Sequence, residues 1–209
     1  MHYMKVAFAI GGYCPVTWQA RQWNIAAVRA IVSRFPECRV EIYVQDRNRC
    51  AELPLPAAMP GVQIYSPERY AARNCPVLWK RWLAGMISRN RPDLLHGTSD
   101  IFSDRLLKDF PDLKCVVTVH DFSFLSVRTG FSWIQRHRYN IMLRRSCRRA
   151  ALVVSLDESD AADTVKYYFI PMDRILVGGD CPSSSGGGPA AGKIMAAYES
   201  LLQDSGVSC

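Results

Sequence analysis

The 209-residue sequence has no apolar run long enough to cross a bilayer. The first apolar run, Val6 to Ile10, is far shorter than the roughly 18–20 residues that a membrane-spanning helix needs. It is also shorter than the apolar core of a secretory signal peptide. We therefore expect a cytoplasmic protein, and a peripheral position at the inner membrane face is the alternative location.

The eight cysteines form no CxxC pair, and their spacing fits neither a disulfide framework nor a zinc site. Cys115 lies in an apolar, strand-like run, and Cys147 lies in a helix-like run. We therefore expect reduced thiols, as is usual in the cytosol.

Helix-turn-helix, RRM, KH and zinc-finger motifs are also absent. The chain is nevertheless basic, with 26 Lys and Arg residues against 19 Asp and Glu residues and a net charge of +7. Such an excess favours anionic partners, which include nucleic acids, anionic bilayers and phosphorylated small molecules. Because no recognition motif accompanies the charge, we do not predict nucleic-acid binding.

Short apolar runs alternate with longer amphipathic runs, and this order predicts an α/β domain with a mainly parallel sheet. The predicted strands are residues 5–10, 39–44, 62–65, 93–96, 114–120, 151–155 and 175–177. The predicted helices are residues 17–35, 76–90, 103–110, 132–149, 158–168 and 190–203.

The character of the sequence changes after the last predicted strand. Residues 178–189 include three consecutive serines and three consecutive glycines, a composition typical of a flexible linker. The amphipathic helix that follows carries Ile194, Tyr198, Leu201 and Leu202 on one face. We expect this face to pack against the domain that precedes the linker.

Gly11 and Gly12 follow the first predicted strand directly. A glycine turn at this place lets backbone N–H groups approach a phosphate beside a helix N-terminus. A complete GxGxxG is lacking, so the dinucleotide-binding fingerprint is not met. A tight turn without a ligand is the alternative interpretation.

Two histidines occur at the carboxyl ends of predicted strands, where open α/β sheets bind ligands. His120 is followed by Asp121, and His96 is followed by Gly97 and Thr98. A histidine there can donate a hydrogen bond to a developing anion or to a sugar hydroxyl. For both positions the alternative is a structural histidine at a strand end.

The predicted helix 132–149 is strongly basic, and Arg144, Arg145, Arg148 and Arg149 are its densest cluster. Trp133, Ile134, Ile141, Met142 and Leu143 add apolar surface. A basic amphipathic helix can lie on an anionic lipid surface. An ordinary solvated face over a core stripe is the alternative.

A specific order of motifs extends from about Arg91 to Val177. It consists of PDLLHGTSD, CVVTVHDFSFL, RRSCRRAALVVSLDESDAADTV and MDRILV. In this order the motifs resemble the N-terminal domain of family 4 of the retaining glycosyltransferases. The resemblance covers most of residues 4–177 and is weaker between about 45 and 75. It implies the GT-B fold, in which two Rossmann-like α/β/α domains face each other across a cleft.

In that family the N-terminal domain holds the acceptor and the C-terminal domain holds the nucleotide sugar. The resemblance implies that Gly11 and Gly12 lie near the donor phosphates and the acceptor, and that His120 is catalytic and contacts the transferring sugar. It matches Glu158 to an acidic residue that caps a helix. Substrate-binding roles are expected for the remaining strand-end residues, which are His96, Gly97, Thr98 and Asp121. No metal and no cofactor besides the sugar donor are expected.

The sequence departs from the family after Val177. The family continues with Pro-Asn-Gly into the donor domain, whereas this chain continues with Gly178-Gly179-Asp180-Cys181. The Arg/Lys pair that contacts the diphosphate and the E-x7-E motif have no counterpart. We therefore predict an acceptor-side domain at 1–177, a linker at 178–189 in place of the donor domain, and a returning helix at 190–209. An engineered excision and a natural reduction both fit this pattern.

These expectations define a hexosyltransferase domain that is inactive alone. Its family would move a sugar from a nucleotide sugar to a glycan or a lipid-linked acceptor. One alternative is an active enzyme completed by a separate donor-domain partner. Another is a non-enzymatic module that binds carbohydrate, phosphate or an anionic membrane surface.

Overall fold

The computed structural model describes residues 4–10, 18–45, 60–98, 104–119, 122–125, 132–179 and 189–203. Within them the strands are β1 Lys5–Ile10, β2 Arg39–Val44, β3 Val62–Tyr65, β4 Leu94–Thr98, β5 Lys114–Val119, β6 Leu152–Ser155 and β7 Ile175–Val177. The helices are α1 Trp18–Arg34, α2 Tyr70–Asn74, α3 Pro76–Asn90, α4 Asp104–Asp109, α5 Trp133–Arg149, α6 Glu158–Tyr168 and α7 Pro189–Gln203.

The strands form one sheet in the order β3-β2-β1-β4-β5-β6-β7, and every neighbouring pair is parallel. Parallel strands need crossover connections, and here helices supply them on both faces. The predicted α/β class and the Rossmann-like three-layer arrangement are confirmed. The order also reverses once: β1, β2 and β3 extend towards one edge, and β4 to β7 extend towards the other.

Two apolar clusters fill the space between the sheet and its helices. On one face α1 and α7 cover the sheet, with Trp23, Ile31 and Tyr198 among the buried side chains. On the other face α3 and α5 cover it, with Trp79 and Leu143 in the core. The central strands are almost wholly buried, because helices exclude water from both of their faces.

The final helix packs on α1. Its buried side chains are Ile194, Met195, Tyr198 and Leu202. They belong to the same apolar cluster as the buried residues of α1, so α7 completes the core on that face of the sheet.

The chain leaves β7 through a packed glycine. Gly178 is buried, and its N–H donates to the carbonyl oxygen of Ser155 over 2.8 Å. A Cβ atom at this position would lie 2.5 Å from Cζ2 of Trp23, so only glycine fits without a shift of the indole ring. Residues 180–188 of the predicted linker lie outside the described residues.

Helix starts follow ordinary capping chemistry. Ser132 is the N-cap of α5 rather than its first helical residue, and it forms a reciprocal capping box with Gln135. At α6 the Asp157 carboxylate accepts from the N–H of Asp160 over 2.7 Å.

Two differences from the predicted elements stand out. β4 extends to Thr98, two residues beyond the predicted end at His96, because β1 and β5 pair with it on both sides. Gly97 and Thr98 are therefore strand residues and not the start of a loop. The short helix α2 was not predicted; its five residues have no side-chain N-cap bond and are too few to show a period.

Four cysteines lie among the described residues, and all four are unpaired. Burial raises the pKa of the Cys38, Cys115 and Cys147 thiols to about 12, so these thiols stay protonated and unreactive at neutral pH. No helix in the described ranges is both long and apolar enough to span a bilayer. Over the same ranges no group of His, Cys, Asp and Glu is arranged to hold a metal ion.

Candidate functional site

The strand order reverses between β1 and β4, and open α/β sheets have a crevice at the carboxyl edge where such a reversal occurs. Ala9 of β1 lies beside Gly97 of β4, and Gly97 lies beside Val117 of β5. The ends of these three strands are therefore neighbours, at roughly 4.8 Å per strand. Open α/β sheets bind their ligands at such a reversal, outside the carboxyl ends of the strands.

Four predicted site residues follow these strand ends in sequence but lie outside the described residues. Gly11 and Gly12 follow β1, and His120 and Asp121 follow β5. The sheet brings the strand ends that precede them to one edge, with only β4 between them. Their predicted roles stay predictions.

His96 occupies the middle of β4 and is fully buried, beneath the carboxyl edge. Its Nδ1 contacts the hydroxyl of Tyr198 from α7, and its Nε2 lies 2.6 Å from Oγ1 of Thr118 on β5. The Thr118 hydroxyl in turn donates to Oδ1 of Asn24 on α1 over 2.7 Å. The ring of Phe8 packs beside the imidazole at a centroid distance of 5.1 Å.

The direction of these hydrogen bonds fixes the tautomer of His96. The Thr118 hydroxyl has one proton and donates it to Asn24, so Oγ1 of Thr118 accepts the hydrogen bond from His96 Nε2–H. Nδ1 is then the unprotonated nitrogen and accepts from the Tyr198 hydroxyl. The chain of donors therefore runs from α7 through β4 and β5 to α1.

Burial holds His96 neutral. Desolvation disfavours the imidazolium and lowers the pKa of His96 to about 3. Both ring nitrogens are already occupied, so the ring joins two strands and two helices rather than facing a crevice. This environment matches the structural alternative for His96. Thr98, the last residue of β4, is also fully buried.

Two buried N–H donors lie near the end of this chain of hydrogen bonds. Nδ2 of Asn24 and Nε1 of Trp23 have no acceptor among the described residues. Ser155, at the end of β6, has a buried hydroxyl in the same condition. Buried donors usually have a hydrogen-bond acceptor, so these three groups are exceptions among the described residues.

The predicted basic surface on α5 is present and is solvent-facing. Arg144, Arg145, Arg148 and Arg149 are all exposed, although Arg148 also donates through Nε to the carbonyl of Tyr168 over 3.4 Å. Leu143, which was predicted to add apolar surface, is instead buried in the core. The exposed apolar side chains of this helix are Trp133, Ile134 and Ile141.

A second concave region was not predicted. An open groove of about 820 Å³ runs along α3, between that helix and the segment that follows β3. We call it the α3 groove. Its wall includes Tyr65, Glu68, Arg69, Arg81, Trp82, Arg89 and Asn90. Arg81 and Arg89 are exposed on this helix, but nothing in the sequence indicated a concave surface.

The comparisons with known proteins agree with this architecture. The model of the family "Glycosyltransferase Family 4" matches residues 27–177, which is well over half of the 209 residues. The fold is that of one Rossmann-like half of a GT-B protein. The chain belongs to glycosyltransferase family 4. A search of curated proteins gave no match.

Solved structures show the same fold at low identity. A glycosyltransferase from Rickettsia africae is 12% identical with a TM-score of 0.51, over 86% of this chain and 43% of that one. A UGT transferase from Siraitia grosvenorii in complex with UDP is 10% identical with a TM-score of 0.55, over 85% and 51%. A UDP-GlcNAc 2-epimerase from Neisseria meningitidis bound to UDP-GlcNAc is 14% identical with a TM-score of 0.54, over 95% and 50%. The chain spans about half the length of these structures.

Proposed function

We propose that this chain is the acceptor-side domain of a glycosyltransferase and that it is inactive alone. In the complete reaction a sugar would pass from a nucleotide sugar to a glycan or a lipid-linked acceptor. The observation that carries the proposal is the reversal of strand order between β1 and β4 in a family 4 chain. The reversal supports the proposal because Gly11 and Gly12 follow β1 in the sequence, His120 follows β5, and only β4 separates these two strands.

In the proposed site, backbone N–H groups bind phosphate and a histidine side chain contacts the sugar. The N–H groups of the glycine turn at Gly11 and Gly12 are suited to phosphate oxygens. His120 is suited to donate to the transferring sugar, where positive charge develops at the anomeric carbon and negative charge on the leaving group. His96 has a supporting role instead, because its buried ring fixes β4 against β5.

The proposal of inactivity rests on what a departing diphosphate requires. Its negative charge must be met by cations or fixed dipoles. In the family these groups include the Arg/Lys pair of the donor domain, which has no counterpart in this sequence. We propose that residues 178–189 stand in place of that domain. A separate donor-domain partner that restores turnover is the alternative, and co-purification with such a chain would reveal it.

Calorimetric titration of the 209-residue chain tests the proposal directly. The panel contains nucleotide sugars, free nucleotides, and free and lipid-linked sugars. We expect binding of an acceptor-type sugar and none of a nucleotide, because the nucleotide site belongs to the other domain. Tight binding of a nucleotide sugar would contradict the assignment of this chain to the acceptor side.

His120→Ala tests the catalytic assignment once the chain is combined with a donor domain. We expect turnover to fall about 100-fold, the usual loss when one hydrogen-bond donor to a transition state is removed. The melting temperature of the domain should not change. His137→Ala is the matched control, since His137 is an exposed histidine on α5. Normal turnover in the His120 variant would reject its role.

A membrane-surface function is the second candidate, and exposed apolar side chains near both ends of α5 favour it. Trp133 begins this helix, and Phe169 follows Tyr168, whose carbonyl accepts from Arg148 near the end of the helix. Trp133 and Phe169 are 70% and 73% exposed, and Ile134 and Met172 are exposed beside them in sequence. Phe169 ends α6 in the left-handed conformation, at φ 58°, which few residues other than glycine adopt. Apolar side chains among arginines are typical of a helix that lies on anionic lipid.

Anionic phospholipid vesicles in the same panel separate the two candidates. Salt-sensitive vesicle binding that is lost in Trp133→Ala, but kept in Val77→Ala, would favour the membrane function. Val77 is the matched control because its side chain is equally exposed, on α3. Vesicle binding should also weaken when alanine replaces Arg144, Arg145, Arg148 and Arg149 together, because the variant loses four positive charges that attract anionic lipid.

A further inference from the structure

The α3 groove is a separate recess with its own charge pattern. The exposed side chains of Arg69, Arg81 and Arg89 lie on its wall with one exposed carboxylate, that of Glu68. None of the three arginines has a side-chain partner among the described residues. Its volume of about 820 Å³ lies in the range of about 300–1,000 Å³ typical of small-ligand sites.

The far end of the groove adds no net charge. Asn90 lines that end and donates through Nδ2 to the buried carboxylate of Glu41 over 3.1 Å. The ammonium group of Lys5 donates to the Asn90 carbonyl over 2.7 Å. One negative and one positive group thus meet at the same residue, and the three arginines against Glu68 set the sign of the groove.

Aromatic rings support the middle of the groove. Trp82 stacks on Trp79 at a centroid distance of 5.1 Å and meets Tyr43 edge-on at 6.1 Å. Tyr43 in turn packs against Tyr65 at 5.6 Å. Since each ring contacts the next, Trp82 and Tyr65 are held in place as they line the groove. Rigid aromatic surface beside cationic groups suits a ligand with apolar faces and negative substituents.

The spacing of the cations indicates an elongated ligand. Arg81 and Arg89 are eight residues apart on one helix, which is about 12 Å along its axis. A chain of several sugar units matches this spacing better than a single sugar ring does. Each guanidinium offers paired N–H donors to a carboxylate or a phosphate.

The groove also has a defined position relative to the crevice. It begins at Tyr65, the last residue of β3, so one end lies at the carboxyl edge of the sheet. β3 is two strands from β1, about 10 Å away. A chain bound along α3 can therefore direct one end towards the crevice between β1 and β4.

We propose that the α3 groove binds an anionic oligosaccharide and holds the part of the acceptor that does not react. The choice of a saccharide rests on the proposed function, whereas the charge and shape of the groove do not. Guanidinium groups of Arg81 and Arg89 pair with carboxylate or phosphate substituents, and Trp82 packs against a sugar ring between them.

The test is calorimetric titration of the 209-residue chain with three matched probes. They are tetragalacturonate, the neutral maltotetraose, and tetraglutamate as an acidic peptide. We expect tetragalacturonate to bind at low salt and more weakly as salt increases, because the paired charges are exposed. Maltotetraose should bind at least tenfold more weakly. No binding of tetragalacturonate overturns the proposal, and equal binding of tetraglutamate would overturn the choice of a saccharide.

Variants locate the site. Arg81→Ala and Arg89→Ala should each weaken tetragalacturonate binding about 5–10-fold, while Arg138→Ala, an exposed arginine on α5, should leave it unchanged. Trp82→Leu should weaken the binding of tetragalacturonate more than the binding of tetraglutamate. Far-ultraviolet circular dichroism with thermal melting confirms that each variant is folded. If Arg81→Ala and Arg89→Ala both bind tetragalacturonate with unchanged affinity, the assignment to this groove is overturned.

The same variants separate this inference from the proposed function. If a complete enzyme transfers sugar normally with both Arg81→Ala and Arg89→Ala, the groove proposal fails and the transferase function stands. If tetragalacturonate binds as expected but no combination with a donor domain gives transfer, the groove stands as a site for an anionic oligosaccharide, and the transferase function and the acceptor role of the groove fail.

Discussion

Tyr198→Ala is expected to lower the free energy of unfolding by about 3–5 kcal/mol, the usual cost of deleting a large buried aromatic side chain. The side chain of Tyr198 is fully buried between α7 and β4. Its loss removes packing from the core and also leaves Nδ1 of His96 without its donor. Chemical denaturation followed by circular dichroism measures the change.

Two companion variants separate packing from hydrogen bonding. Tyr198→Phe keeps the ring and removes only the hydroxyl, so it should cost about 1–3 kcal/mol, the penalty for an unsatisfied buried acceptor. Glu199→Ala changes the neighbouring exposed residue of α7 and should have almost no effect. If Tyr198→Ala behaves like Glu199→Ala, α7 does not pack on the domain in solution.

Acid is expected to destabilise the protein through His96. The pKa of this histidine is about 3 in the folded state, against 6.5 in the unfolded state. Between these values the unfolded chain binds a proton that the folded chain does not, so stability is full above pH 6.5 and falls as the pH drops. At about 1.36 kcal/mol per pH unit, the loss is about 2–3 kcal/mol at pH 4.5 and about 4 kcal/mol at pH 3.

The measurement is the free energy of unfolding of the wild type and of His96→Gln at several pH values. The variant starts less stable at pH 7 because it disturbs the hydrogen bonds to Tyr198 and Thr118. Its stability should, however, fall less steeply between pH 6.5 and pH 4.5. His137→Gln removes an exposed histidine and should keep the wild-type slope. Parallel stability curves for the wild type and His96→Gln would show that folding does not lower the pKa of His96.

Much of the fold followed from the sequence because the central strands are continuous apolar runs. β1, β2 and β3 were predicted to the residue: a charged residue begins β1 and β2, and glycine follows β1 and precedes β3. β4 was predicted two residues short because Gly97 and Thr98 resemble a turn. Only the pairing of Gly97 with β1 and β5, and of Thr98 with β5, shows that they are strand residues, and pairing with strands elsewhere in the chain is not visible in a local pattern.

The sequence predicts a site at the strand ends, but it does not indicate how the side chains beneath those ends are arranged. The strand-end positions of Gly11 and His120 follow from the order of apolar runs. The environment of His96 does not, because its partners come from α1, β5 and α7, which are remote in sequence. The apolar face of the last helix was correctly predicted from Ile194 and Tyr198, but nothing local indicated that the Tyr198 hydroxyl would meet His96. The α3 groove was missed because its walls come from α3 and from the segment after β3, and no local pattern indicates that the two enclose a recess.

The contact between α7 and β4 has a consequence for synthesis on the ribosome. His96 and Tyr198 are 102 residues apart in the chain. At about 5–20 residues per second, the strand emerges roughly 5–20 s before the helix that covers it. During that interval the apolar face of α1 and the imidazole of β4 have no cover from α7. We therefore expect the nascent protein to stay a client of chaperones until α7, Pro189–Gln203, is free of the exit tunnel.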